Sequence, residues 1–210
     1  MMRDHILHKI RTALGRSAGR PPAPAPPPRL RLGEMDAEAR IDALFAALEK
    51  LAGKTFRAAS REEARGYAAS LLNGKTAVAS NAPLLAECGI TSLPGVRSGL
   101  FDRDELKAAC AGADVGITSA DYALADTGTL VMLSSRHEAR MISLLPPVHL
   151  AVVPGDKILT GLDELFTLVP IPSEASSSMV LITGPSRTAD IEQILVRGVH
   201  GPGEIHVVVV

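Results

Sequence analysis

The sequence predicts an α/β fold: a mostly parallel sheet flanked by helices, preceded by a helical N-terminal arm. Three observations lead there. Short β-rich apolar runs alternate with amphipathic stretches from about residue 34 to residue 210, the alternation that builds parallel sheets with helices on both faces. Hydrophobic residues make up 46% of the chain but aromatics only 3%, which suits a core of Ala, Val, Leu and Ile. The last stretch, Ser178 to Val210, reads as a βαβ unit. Met179–Thr183 and Glu204–Val210 look like strands buried on both faces, and a helix from Thr188 to Arg197, closed by Gly198, joins them as a right-handed crossover.

In chain order, Met1–Leu14 is a basic amphipathic helix with Ile6, Leu7, Ile10 and Leu14 on one side. The run PPAPAPPP that follows enforces an extended, polyproline-like spacer. Residues 1–33 therefore form an arm and linker, and 34–210 the α/β domain. Asp36–Leu51 carries the apolar stripe Ile41, Leu44, Phe45, Leu48, Leu51 of a helix that needs a core. Thr55–Ala58 is a strand, and Ser60 with Glu63 caps a helix that runs to Leu72 and stops at Asn73-Gly74. Further on come a strand at Thr76–Ser80, a helix at Pro83–Cys88, a short strand near Leu93, a helix at Arg103–Ala111 and a strand at Val115–Thr118. The runs Tyr122–Ala125 and Thr129–Leu133 flank Asp126-Thr127-Gly128, whose turn chemistry predicts a hairpin or sharp corner. Helix His137–Leu144, strand Val148–Val153 and helix Leu162–Leu168 complete the set. In this reading Arg136, Glu138 and Arg140 form a solvated helix face, the alternative being that Arg136 and Arg140 receive an anionic ligand.

A net charge of −1 argues against nucleic acid as the default partner. Cys88 and Cys110 are the two cysteines. They provide no CxxC, no zinc quartet and no iron–sulfur ligand set, and fit a reducing, cytoplasmic setting. No apolar run approaches a membrane span, and no long apolar secretory core opens the chain. The histidines His5, His8, His137, His149 and His206 carry no metal-site context, so no metal ligand set is expected.

Several residues are candidates for chemistry. Gly184-Pro185-Ser186 meets the expected helix N-terminus, where the N–H groups that reach Thr188 favour a phosphate or carboxylate; the alternative is an ordinary tight βα turn. Asp126, on the turn with Thr127 and Gly128, is a candidate base or nucleophile, or else makes a simple Asx turn. Asp121, at a strand end, is expected to share its cleft, and two close acids would raise one pKa. His200 stands in the turn-rich GVHGPG as a ligand contact or a plain loop histidine. The helix expected between them keeps Ser186 and His200 about 15 Å apart, too far for a nucleophile–base pair.

The segments ITSADYALADTGTLVML, PPVHLAVVPGDKI and ITGPSRTADIEQILVRGVHGPGEIHVVVV resemble the LUD domain of the lactate-utilization protein C (LutC/YkgG) family. The likeness covers about residues 35 to 210, and the opening ILHKIRTALGR is similar to the family's N-terminal helix. Thr183-Gly184 replaces the family's Ser-Gly, and Asp126 stands where Glu is frequent, one methylene shorter. The resemblance implies a fold like that of ribose-phosphate isomerases, glucosamine-phosphate deaminases and CoA-transferases. It also implies a non-redox role in oxidising L-lactate to pyruvate beside partner proteins that carry the iron–sulfur clusters, with none bound by this chain. The partners expected are those iron–sulfur proteins and a small anionic ligand, with a homo-oligomer left open. The other reading is a small-molecule enzyme of CoA-transferase or sugar-phosphate isomerase type that uses Asp126 and the Gly184–Thr188 turn.

Overall fold

Twelve strands and seven helices are present in a computed structural model that describes residues 2–16, 33, 35–189 and 195–210. The basic helix α1 spans Met2–Ala13 and leaves Ile6, Ile10 and Leu14 half or more exposed. The proline-rich spacer lies outside the described residues.

The domain proper opens with α2 (Ala37–Lys50), whose N-terminus is held by the Asp36 carboxylate accepting from the N–H of Ala39. Its expected stripe is in place, with Ile41, Leu44 and Leu48 buried. Next come β1 (Lys54–Arg57), α3 (Arg61–Leu72), β2 (Ala77–Ala79), α4 (Pro83–Glu87), β3 (Val96–Arg97), α5 (Arg103–Ala111) and β4 (Val115–Ser119). The Ser60 side chain caps α3, and Asn73, in the left-handed region at φ 37°, ends it. With β7 (Val148–Val153) and β12 (Glu204–Val209), four of these strands build a six-stranded, wholly parallel sheet in the order β1-β12-β7-β4-β2-β3. The predicted parallel α/β architecture is therefore what forms.

A second sheet was not foreseen. β5 (Tyr122–Leu124) and β6 (Thr129–Leu133) make the expected hairpin and are joined by β8 (Ile158–Leu159) and β9 (Met179–Thr183) in the order β8-β5-β6-β9. This sheet and α2 cover one face of the large sheet through Leu44, Leu48, Ala123, Leu130, Val207 and Val209, and α5 covers the rest of that face through Val78 and Leu106. α3 and α4 cover the opposite face around Ile117, Leu150 and Val208. α6 (Leu162–Leu168) packs Leu165 on the outer side of the small sheet, and the short α7 (Pro172–Ala175) leads into β9.

The C-terminal βαβ unit is the main correction. β9 is not a doubly buried strand parallel to β12; it is the edge of the small sheet, antiparallel to β6, with Leu181 45% exposed. The expected helix is absent at both its ends. Instead β10 (Arg187–Ala189) and β11 (Leu195–Arg197) pair antiparallel, Arg187 opposite Arg197, while 190–194 lie outside the described residues. Strand pairing overrides the 3.6-residue apolar spacing, which is a weak signal once tertiary partners are available. β12 fulfils expectation: five of its six residues are buried, and it lies inside the large sheet. The helix expected at His137–Leu144 is likewise replaced by hydrogen-bonded turns.

On the α3 side His206 joins a polar chain. Its Nε2 lies 2.7 Å from Glu204, which also pairs with Lys54, and its Nδ1 lies 2.7 Å from the Tyr67 hydroxyl. A carboxylate only accepts, so Nε2 carries the proton and Tyr67 donates to Nδ1. Tyr67→Phe should leave that nitrogen buried and unpaired, lowering stability by about 1–3 kcal/mol in urea denaturation.

Candidate functional site

The sequence-predicted residues fall into two places. Asp126 and Thr127 are exposed on the β5–β6 turn, where the Thr127 hydroxyl donates to the Asp126 carboxylate at 3.1 Å. A chain of hydroxyl contacts at 2.8 Å continues from Thr127 to Thr129 and on to Thr183 of β9. Gly128 and Gly184, both at positive φ, end this region against α2. A Cβ on Gly128 would lie 2.8 Å from the Leu48 nitrogen, and one on Gly184 2.9 Å from Leu51 Cβ. Both glycines thus allow the small sheet to close on α2.

Ser186 follows directly, and it does not meet a helix N-terminus. Its N–H donates to the Pro202 carbonyl at 2.8 Å, and its own carbonyl accepts from Gly198 at 3.1 Å. The loop that carries the exposed His200 is therefore folded against Ser186, which corrects the expected 15 Å separation: the hairpin doubles back where a helix would have run on. Thr188 is paired with Val196 across that hairpin.

Asp121 lies elsewhere. It stands at the opposite end of β5 from Asp126, about 16 Å away by strand rise, so the two acids do not share a cleft. Its carboxylate accepts from the Leu133 N–H at 2.6 Å, and burial raises its pKa. The acid that does face it is Glu138, whose own pKa the Asp121 charge helps to raise.

Glu138 is 6% exposed and sits across the carboxyl ends of β2 and β4. Its Oε2 accepts from the Ser80 hydroxyl at 2.7 Å and from the Ser119 N–H at 3.1 Å. Its Oε1 is buried and has no hydrogen-bond partner among the described residues. Burial first of all pushes the carboxyl up to about 8, so it carries a proton at neutral pH. Since Oε2 already accepts twice, that proton belongs on Oε1.

Local chemistry puts Glu138 there. The Ser135 hydroxyl accepts from the N–H groups of His137 and Glu138 and turns the chain sharply after β6. Gly116 then lets the segment lie on β4: a Cβ on it would stand 1.9 Å from the Ile142 carbonyl oxygen. The place itself is one where open parallel sheets bind ligands. From β2 the chain leads outward to β3, and from β4 it leads the other way to β7, so their carboxyl ends flank the topological switch point. Glu138 was misread as solvated because Arg136, Glu138 and Arg140 alternate like an exposed face. The available signal was Gly116, a lone glycine in a strand, which marks close backbone approach.

A cleft opens beside Glu138, lined also by Met132, Leu133, Ser134, Arg140, Ser143 and Val180. Nearby in the same face of the large sheet, His149 is fully buried and held neutral, burial pushing it down to about 4, with Nε2 2.7 Å from the Thr118 hydroxyl. Among the described residues no cluster of three or more His, Cys, Asp or Glu is arranged to hold a metal. Cys88 and Cys110 are both buried, and burial raises both thiols. Among the described residues no helix is long and apolar enough to cross a membrane.

A family model for the LUD domain matches residues 41–210. The chain belongs to the LUD domain family. The resemblance drawn from the motifs is thereby borne out, and the relatives of this LUD domain agree with it. It is 36% identical over 141 residues to lactate utilization protein C 1 of Bacillus mycoides, covering 62% of this chain and 60% of that protein. It is 41% identical over 98 residues to lactate utilization protein C of Bacillus subtilis, covering 43% and 39%. It is 40% identical over 94 residues to the Halalkalibacterium halodurans protein of the same name, covering 43% and 41%. The matched parts thus span 60% or less of these relatives' own lengths. In structure the LUD domain resembles a DUF162 family protein from Deinococcus radiodurans, with a TM-score of 0.65 at 21% identity, over 84% of this chain and 99% of that one.

Proposed function

We propose that this LUD domain serves lactate utilization as a non-redox component of an L-lactate oxidising system whose iron–sulfur clusters are carried by partner proteins. The observation that carries the reading is its similarity, at 36–41% identity, to proteins named lactate utilization protein C. Its two cysteines support the division of labour, because a cluster takes four protein ligands, usually thiolates. The exposed apolar side of α1, formed by Ile6, Ile10 and Leu14, supports docking to a partner, and a cytoplasmic location belongs to the same reading.

Deleting the gene should abolish growth on L-lactate as sole carbon source, and the full chain supplied in trans should restore it. Undiminished growth of the deletion strain would remove the proposal. The second reading, a small-molecule enzyme acting through Asp126, is favoured by the hydroxyl chain that reaches that exposed carboxylate from Thr183. Asp126→Asn separates the two: a complementing variant supports the non-catalytic role of that residue, and a folded variant that fails to complement supports the enzyme.

A further inference from the structure

We propose that β9 joins two copies of this chain: its free edge pairs antiparallel with the same strand of a second copy, about a two-fold axis at Leu181, and the small sheet runs on unbroken from one copy into the other. Such a joint is independent of any role in lactate utilization.

Open sheet edges offer unpaired N–H and C=O groups to any passing strand, and proteins blunt them by shortness, charge or cover. The two larger sheets have four edges, and three are blunted in these ways. β3 has two residues, one of them Arg97. β1 carries Lys54 and Arg57, which pair with Glu204 and Glu38. β8 has two residues, and both are buried. β9 differs. It runs for five residues, MVLIT, with no charge and no proline, and Leu181 at its centre is 45% exposed.

The backbone of β9 is set for a partner. The Ser134 N–H donates to the Ser178 carbonyl at 2.9 Å, which fixes the alternation of the β6–β9 ladder. Val180 and Ile182 therefore turn their N–H and C=O toward β6, and Met179, Leu181 and Thr183 turn theirs outward. Among the described residues no other strand, turn or loop meets those outward groups. A second β9 would. With Leu181 opposite the partner's Leu181, Met179 faces the partner's Thr183 and Thr183 the partner's Met179, so about six backbone bonds form and no like charges oppose each other. A strand that pairs with itself in this way closes a two-fold dimer, whereas unlike edges would run on into a fibre. The strand pair alone falls short of the about 1,000 Å² that a stable interface clears. Its flanks supply the rest. Met179 packs on the face that Leu165 of α6 covers, and Leu181 lies on that same face by the alternation of a strand. The connection from α6 crosses this face toward β9 with Leu168 and Ile171 exposed, and an axis perpendicular to the sheet keeps both copies of it on one side.

The test is the solution mass of the purified full chain by light scattering. At about 100 μM it should be twice that of one chain. Leu181→Pro deletes an outward N–H without touching a bond to β6, and Leu181→Lys sets two like charges on the axis. Both should give the mass of a single chain at the same concentration, with thermal melting close to wild type. Leu181→Cys reads the register even where those two variants fold poorly. Opposite Cα atoms in such a pair stand about 5.5 Å apart, within disulfide reach, and Cys88 and Cys110 are buried, so oxidation by diamide should link the copies. A single-chain mass for wild type would overturn the proposal, leaving the edge to the chain's own proline-rich segment or to another protein. So would a dimer that persists in folded Leu181→Lys, or one that Leu181→Cys fails to link.

Discussion

Raising the pH from 5 to 9 should destabilise the protein by about 4 kcal/mol, and Glu138→Gln should remove most of that loss. The carboxyl titrates at about 8 in the folded chain against an ordinary value of 4.5. The folded state therefore holds the proton more tightly than the unfolded chain. Below pH 4.5 both states are protonated and nothing is lost; between 4.5 and 8 only the unfolded chain releases its proton, so stability drains away as pH rises. Above 8 the slope ends, because the folded state then carries the buried charge that Ser80 and Ser119 alone must solvate. The glutamine variant should fall slightly below wild type at pH 5, where its amide replaces a well-placed acid, and above it at pH 9. Urea denaturation midpoints at the two pH values test this directly, and parallel curves for wild type and variant would show that Glu138 is hydrated.

Gly116→Ala should be the most damaging single methyl in the large sheet. The added carbon would stand 1.9 Å from the Ile142 carbonyl oxygen and 3.0 Å from its carbon, and backbone cannot swing aside as a flexible side chain would. Either β4 leaves register between β2 and β7, or the 135–146 segment lifts away and takes the buried Ile142 and Glu138 with it. Both routes cost about 3–5 kcal/mol, in the range of severe overpacking and lost burial. If the segment lifts, the variant should also lose the pH-dependent stability loss described above, since Glu138 would meet water. Denaturation of Gly116→Ala at pH 5 and pH 9 reads both effects, and a loss under 1 kcal/mol at pH 5 would show that the segment does not press on the strand.

Capped helices and uninterrupted apolar strands were legible in the sequence. Asp36, Ser60 and Asn73 mark their helix ends through bonds made within a few residues, and the strands around Ile117, Leu150 and Val207 announce themselves by burial on both faces. What could not be read was anything decided by distant pairing. Thr188 to Arg197 has the spacing of a helix, yet its two ends pair with each other and fold the Gly198–Gly203 loop back onto Ser186. Met179–Thr183 has a strand's composition but no local sign that β6, rather than β12, would be its neighbour. The site divided along the same line. The place of Asp121 at a strand end and the glycine turn after Asp126 were legible from neighbouring residues, but not that the two acids lie at opposite ends of β5. Glu138 was passed over because its burial depends on Gly116, a residue 22 positions earlier.

The place of β12 between β1 and β7 bears on how the chain comes together. Among the described residues β1 has no other neighbour in the sheet than β12, and the Lys54–Glu204 contact beside that pairing spans 150 residues. Closing so long a loop is entropically late. During synthesis β1 and β7 must therefore wait as two unzipped margins with their amides and carbonyls bare, inviting strands from neighbouring chains. The valines of β12 are the seam that shuts this gap, so the nascent domain is most vulnerable before they reach β1 and β7.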